Sequence, residues 1–256
     1  LPSPPQGTEA TPPKEDAAPA PDPGEPPAAS ADTPPPAPNS ETPKKAAIIV
    51  DDGGYNAEAA AGILALTNKL TVAIIPFTTH DKETATKAKE LGFEVMLHLP
   101  MQESHIKEQL TTSMTSDQIA ATVNAGLERV PGAVGINNHT GSPFMADEVS
   151  VRALLQVVKT KPLFFVDSKT TAKSKAVKIA KELGIPVTAR DVFLDLEKDP
   201  NWFRDQFRQF VAIAVKHGRA VAICHFKPTT VELLKECLPQ LDQQGIQLVH
   251  VSELLE

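Results

Sequence analysis

Two adjacent aspartates, Asp51 and Asp52, and three histidines, His98, His139 and His225, are the side chains of this 256-residue chain best suited to chemistry. Each ends or follows a short apolar run: A-A-I-I-V before the aspartates, E-V-M-L before His98, A-V-G-I before Asn137-Asn138-His139, and A-V-A-I-C before His225. Carboxylate and neutral imidazole suit Zn²⁺ and similar ions, and three protein ligands leave a position open for water. Such a set is typical of a metal-assisted hydrolase. A lone D-D-G-G reads as well as a turn with a helix N-cap, and a lone histidine at a strand end as a hydrogen-bonded structural residue. Their recurrence at successive run ends favours the functional reading, and two acids there are no packing solution, because an unpaired buried carboxylate is costly. Asp167 and Arg190 end further runs, and either orients the reacting groups or forms a strand-end ion pair. Asn138 is a ligand-binding amide or a turn residue.

The runs that carry these groups alternate with helical patterns. Strands are expected at 46–50, 71–76, 93–101, 133–137, 162–168, 185–190, 219–225 and 246–251. Helices are expected at 56–67, 81–90, 116–129 (capped by Ser116-Asp117), 146–160, 172–183, about 199–217 and about 229–244. Strict strand–helix alternation with short connections predicts a parallel sheet with helices outside. Eight units would close a barrel, whereas seven would leave it incomplete or distorted. In such a fold, polar side chains at the strand ends gather at the mouth.

Fifteen of the 24 prolines lie at or before Pro43, among Ala, Ser, Thr, Asp and Glu. A segment without an apolar period cannot bury enough surface to offset its ordering entropy, so residues 1–45 are expected to be a disordered Pro/Ala-rich linker. Residues 46–256 suit one α/β domain. The net charge of −7 and the absence of a basic stripe argue against nucleic acid as a partner. No run approaches the roughly 20 apolar residues of a membrane span. A long linker ahead of one domain suits a periplasmic, secreted or membrane-tethered protein with an upstream anchor. Cys224 and Cys237 form either a disulfide or two buried thiols, and thiols are favoured.

Taken in order, I-I-V-D-D-G-G (48–54), E-V-M-L-H-L-P-M (94–101), V-G-I-N-N-H-T-G-S (134–142), F-F-V-D-S-K-T (164–170), V-F-L-D (192–195) and A-I-C-H-F-K-P-T-T (222–230) resemble the divergent polysaccharide deacetylases, a branch of the NodB-like carbohydrate esterases. The resemblance covers nearly everything after residue 45. It implies a distorted barrel of about seven parallel strands. It also implies Asp51 as general base, Asp52 and His98 as ligands of a divalent metal, most simply Zn²⁺, and His225 as general acid. The main family's second histidine falls four residues after the first, where this chain has Gln102. The divergent branch shares that departure, and His139 is the substitute. The implied reaction removes an acetyl group from an N- or O-acetylated sugar or glycan. The alternative is a module that has kept the fold, lost turnover and binds a partner in the cell envelope. Gln102 and the single Trp and Tyr of the chain motivate that alternative. His80, His105, His217 and His250 fall on loops or helix ends and are read as structural or solvated. Trp202 is read as packing.

Overall fold

Alternation along β1 (Lys44–Gly53) sends Ala46, Ile48 and Val50 outward against the helices and Ala47 and Ile49 into the interior. The same two-residue period governs every strand that follows, and it decides which side chains reach the barrel mouth. A computed structural model describes residues 43–256 of the chain. The expected linker at 1–45 lies outside the described residues as far as residue 42. Its last two residues do not belong to it: Lys44 and Lys45 pair with Ile246 and Gln247, and Lys45 also with Arg219, so the first strand begins earlier than the apolar run.

The elements then follow in order: α1 (Ala57–Leu64), β2 (Thr71–Ile74), α2 (Asp81–Glu90), β3 (Glu94–Pro100), α3 (Ser116–Arg129), β4 (Gly135–His139), α4 (Ser142–Ala146), α5 (Glu148–Lys159), β5 (Phe164–Asp167), α6 (Ala176–Leu183), β6 (Val187–Ala189), β7 (Val192–Phe193), α7 (Pro200–His217), β8 (Arg219–His225), α8 (Pro228–Cys237), α9 (Pro239–Gln243) and β9 (Ile246–Leu248), with a 3₁₀ turn over Val251–Leu254. The strands pair in the order β6-β5-β4-β3-β2-β1-β8-β7, with β9 added to β1, and every ladder is parallel. The two edges of that path, β6 and β7, are consecutive in the chain, separated only by Arg190 and Asp191. They do not pair with each other; Arg219 of β8 reaches across the gap and donates from Nη2 to Thr188 Oγ1 of β6 at 2.7 Å, and Val187 and Glu256 exchange backbone hydrogen bonds beside it. The result is the distorted parallel barrel expected from the alternation, helices outside.

The interior is a small apolar floor. Ala47, Ile49, Ala73, Met96, Phe164, Val166, Val221 and Ile223 fill it, and Val249, Val251 and Leu254 close it from below. The larger outer core lies between strands and helices and includes Phe144, Phe165, Phe203, Phe207 and Phe210. Among the described residues no helix is long and apolar enough to cross a membrane.

Local chemistry shifts several elements from their expected places. The first turn of α3 is capped by Thr115, not Ser116: its hydroxyl accepts from the Gln118 N–H while the Gln118 side chain accepts from the Thr115 N–H. The expected 146–160 helix is α5, which begins two residues later because Asp147 caps it through the Ser150 N–H at 2.8 Å, and the short α4 ahead of it is not among the expected helices. Pro239 divides the last helical stretch into α8 and α9, since proline cannot continue the helical ladder but is tolerated at its first position. Cys224 and Cys237 are both buried and free.

Candidate metal centre and active site

The register of the sheet brings the candidate residues to one level. Asp51 of β1 is the ladder partner of His225 of β8, His98 of β3 is the partner of Asn137 of β4, and Pro100 is the partner of His139. Counting in steps of two from the floor, Ile49 leads to Asp51, Met96 to His98 and Ile223 to His225, all on the inward face. On β4, Asn137 and His139 share that face with Gly135. The sequence expectation ended this strand at 137. It runs instead through His139, because Asn137 and Asn138 keep their ladder with His98 and Leu99.

Asp52 breaks the alternation. By parity it should face outward, but its backbone takes φ of +66° at an irregularity in the β1–β2 ladder between Val50 and Gly53. The left-handed residue re-aims the side chain over the mouth, a bend of the kind that bulges supply beside active sites. Gly53 lets the turn pack closely against β2 and the start of the loop after β8: an added Cβ would meet Ile74 Cδ1 at 2.3 Å, Phe226 Cε2 at 3.0 Å and the Ala73 carbonyl at 3.3 Å.

Asp52, His98 and His139 present one ligand atom each, all within 4.8 Å of one another. His139 Nδ1 lies 3.1 Å and His98 Nε2 3.3 Å from Asp52 Oδ1, and the two imidazole nitrogens are 3.3 Å apart. That carboxylate oxygen is buried and has no well-directed hydrogen bond. An unpartnered buried oxygen facing two ring nitrogens is costly unless something positive sits among them. Burial acts to raise the Asp52 pKa, but the neighbouring His139 and His98 outweigh it and hold the carboxyl well below the usual range. Burial likewise acts to lower the His98 pKa, and the charges of Asp51 and Asp52 overcome it and raise it. The pocket thus attracts positive charge, and its two-nitrogen, one-oxygen donor set fits Zn²⁺ or a similar divalent ion.

Two further groups flank the cluster. Asp51 is 2% exposed, its Oδ2 3.6 Å from His98 Nε2, and burial raises its pKa above the ordinary carboxylate value. His225 turns Nδ1 to Asp195 Oδ1 at 2.7 Å, which leaves Nε2 facing inward, 4.0 Å from Asp52 Oδ2. Burial would lower the His225 pKa, yet the hydrogen bond and charge of Asp195 leave it raised. Asp195 in turn accepts from Thr230 Oγ1 at 3.0 Å and the His225 N–H at 3.1 Å, with Lys227 Nζ at 3.3 Å.

The supporting residues act at one remove. Asp167 Oδ1 accepts the Lys169 N–H at 2.8 Å and touches none of the central side chains. Arg190 forms no strand-end ion pair: it donates to the carbonyls of Ser168 and Lys169 and lies over Phe193, whose ring stacks on His225 at 5.1 Å. Asn138 lies within β4, not in a turn. Its amide accepts the Ser168 N–H and donates to Thr140 O and Thr170 Oγ1, fixing the loop after β5. Gln102 accepts from the backbone and hydroxyl of Thr112, both at 3.2 Å, and stays outside the cluster. His80 starts α2, His217 ends α7, and His250 bonds the Asn68 carbonyl.

Two residues of the site were not singled out from the sequence. Asn137 was hidden by the strand boundary, although its two-residue spacing from His139 puts it on the same face. Asp195 lies in the V-F-L-D stretch, but β7 is too short to show any periodicity.

Comparison with known proteins agrees with this architecture. An uncharacterized protein of Haemophilus influenzae is 40% identical over 217 residues, covering 82% of this chain and 76% of that one. The uncharacterized protein YibQ of Escherichia coli is 35% identical over 215 residues, covering 82% and 67%. Among solved structures, an uncharacterized protein of Agrobacterium tumefaciens superposes with a TM-score of 0.80 at 18% identity, over 84% of this chain and 90% of that one. A mutant of a CE4 family pseudoenzyme with restored enzymatic activity superposes at 0.54 with 17% identity, over 84% and 68%. The model of the divergent polysaccharide deacetylase family matches residues 48–255, from the strand that carries the aspartates to the end of the barrel, and the chain belongs to that family.

Proposed function

We propose that the protein is a metal-dependent hydrolase that removes acetyl groups from an acetylated carbohydrate. The observation that carries this reading is the buried, unpartnered Asp52 oxygen facing His98 and His139, with the Asp51 carboxylate and the His225 imidazole on either side of it. Asp52, His98 and His139 would hold the ion, which when bound supplies Lewis-acid polarisation of the acyl carbonyl and a lowered pKa for water.

The protein's own groups move the protons. Asp51, kept basic by burial, takes a proton from the attacking water through Oδ2, its Oδ1 being held by the Asn137 amide at 2.9 Å. The water oxygen forms the new bond to the acyl carbon, and the carbon–nitrogen or carbon–oxygen bond breaks. His225 delivers a proton from Nε2 to the departing amine or alkoxide, and Asp195 stabilises the imidazolium beforehand. The products are acetate and the freed sugar amine or hydroxyl.

Elemental analysis of the purified chain is expected to give about one Zn²⁺ or similar ion per chain, lost in a His98→Ala/His139→Ala double variant. Metal-loaded protein should release acetate from an acetylated glucosamine oligomer, and Asp51→Asn should slow it by about 10²–10⁴-fold. A wild-type chain that holds no metal after reconstitution would sink the ligand assignment. Full metal occupancy with no acetate release from any acetylated glycan would instead leave a binding module.

A further inference from the structure

The geometry points to Asn137 as the positioning residue that joins the general base to the metal ligand His98 and fixes which ring nitrogen His98 offers. This rests on the metal-site reading above. Asn137 is completely buried and both ends of its amide are hydrogen-bonded. Nδ2 donates to Asp51 Oδ1 at 2.9 Å and lies 3.3 Å from Ser168 Oγ, while Oδ1 lies 2.8 Å from His98 Nδ1.

The directions of these bonds are not interchangeable. An ionised carboxylate only accepts, so the amide must turn its NH₂ to Asp51 and its carbonyl to His98. A carbonyl oxygen only accepts, so His98 Nδ1 must carry the proton. In the neutral, ligating ring the lone pair is then left on Nε2, the atom that faces Asp52 and His139. One amide, itself outside the ligand set, therefore translates the charge on Asp51 into the ligating tautomer of His98. Leu at this position would fill the space and transmit nothing.

The link has its own support. Ser168, the second acceptor of Nδ2, is held by Asn138 Oδ1 on its N–H at 2.9 Å and by Arg190 Nε on its carbonyl at 2.8 Å. Asn138 and Arg190 thereby act on the centre through Ser168 and Asn137.

The test measures Zn²⁺ affinity by chelator competition in the full chain for the wild type, Asn137→Ala and the near-isosteric Asn137→Asp, with circular dichroism and the melting temperature of the metal-free forms as folding controls. Asn137→Ala frees the His98 ring to place its proton on Nε2, and Zn²⁺ affinity should fall by about 10- to 100-fold. Asn137→Asp still accepts the Nδ1 proton and should bind Zn²⁺ at least as tightly as the wild type. It nonetheless sets a second carboxylate against Asp51 in place of a donor, so acetate release should be lost. This split, affinity kept and turnover gone, is not produced by mere space-filling. Affinity unchanged within about twofold in Asn137→Ala, or falling equally in both variants, overturns the role of Asn137 while leaving the metal site standing. No Zn²⁺ bound by the wild type overturns the site, and this inference with it. If Asn137→Ala does not fold, Asn137→Asp alone decides, because loss of its affinity is incompatible with the link.

Discussion

The His225–Asp195 pair is the residue-scale feature on which the proposed acid chemistry depends. Nδ1 of His225 is committed to Asp195, so the proton to be delivered sits on Nε2, and the carboxylate raises the imidazole pKa against the effect of burial. The protonated, competent form therefore predominates below that raised pKa and is lost as pH rises through it. Asp195→Asn removes the charge that supports it, so the alkaline limb of the rate profile should move to lower pH. The rate on a substrate with an amine leaving group should fall by about 10²–10⁴-fold. A pH–rate profile of acetate release in which the alkaline limb stays put would show that Asp195 does not tune the acid. Asp51, His98 and His225 are legible in the sequence because each ends an apolar run, and His139 because the N-N-H-T-G-S stretch follows another and resembles the family's. Asp52 is legible only as a residue type, because its aim comes from a left-handed backbone turn that no side-chain pattern encodes.

Elements with a long period were the easiest to read, and their ends the hardest. The α2 and α3 ranges and the β8 range coincide with the sequence expectation, β8 as an unbroken apolar run, α3 from its polar start, and α2 as a charged helical stretch stopped by Gly92. Helix starts differ where a side chain competes for the backbone: Thr115 takes the cap of α3 from Ser116, and Asp147 caps α5, which begins at Glu148 instead of 146. Asp147 gives this a measurable size. It accepts the Ser150 N–H at 2.8 Å, and the Ser150 hydroxyl and N–H together hold its carboxyl below the usual range. Asp147→Ala should cost about 1 kcal/mol at neutral pH, read from urea unfolding. Because the folded pKa is depressed, the charge-dependent part of that contribution is present above the unfolded value of about 3.9 and is lost as pH falls through the folded one. The gap between wild type and Asp147→Ala should therefore narrow in acid. An unfolding difference that is constant with pH, or absent at neutral pH, would remove Asp147 as a charged cap.

Across the whole molecule, the reactive centre stands on the apolar layer beneath it, and the geometry of one depends on the packing of the other. Met96, Gly135 and Phe164 are successive ladder partners on β3, β4 and β5, one inward step below His98, Asn137 and Val166. Phe164 fills the floor by lying over the bare backbone of Gly135, where an added Cβ would meet its ring carbons at 2.3, 2.5 and 2.7 Å. Gly135 has no positive φ to require glycine, so the constraint is purely the ring above it. This pairing was not legible in the sequence, since a glycine in a strand says only that something approaches closely and not what. Gly135→Ala should overpack the floor and cost about 1–3 kcal/mol in unfolding free energy, with Phe164→Leu restoring part of it in the double variant. The two changes should be non-additive, because the ring and the new methyl compete for one volume. The strain would also be transmitted two residues along β4 to Asn137, so metal affinity should fall in Gly135→Ala and recover with Phe164→Leu. Unfolding midpoints and zinc competition on the two single variants and the double variant decide this. Additive effects would mean that the floor relaxes independently at each site, and an unchanged metal affinity in a destabilised Gly135→Ala would mean that the centre is insulated from the layer that carries it.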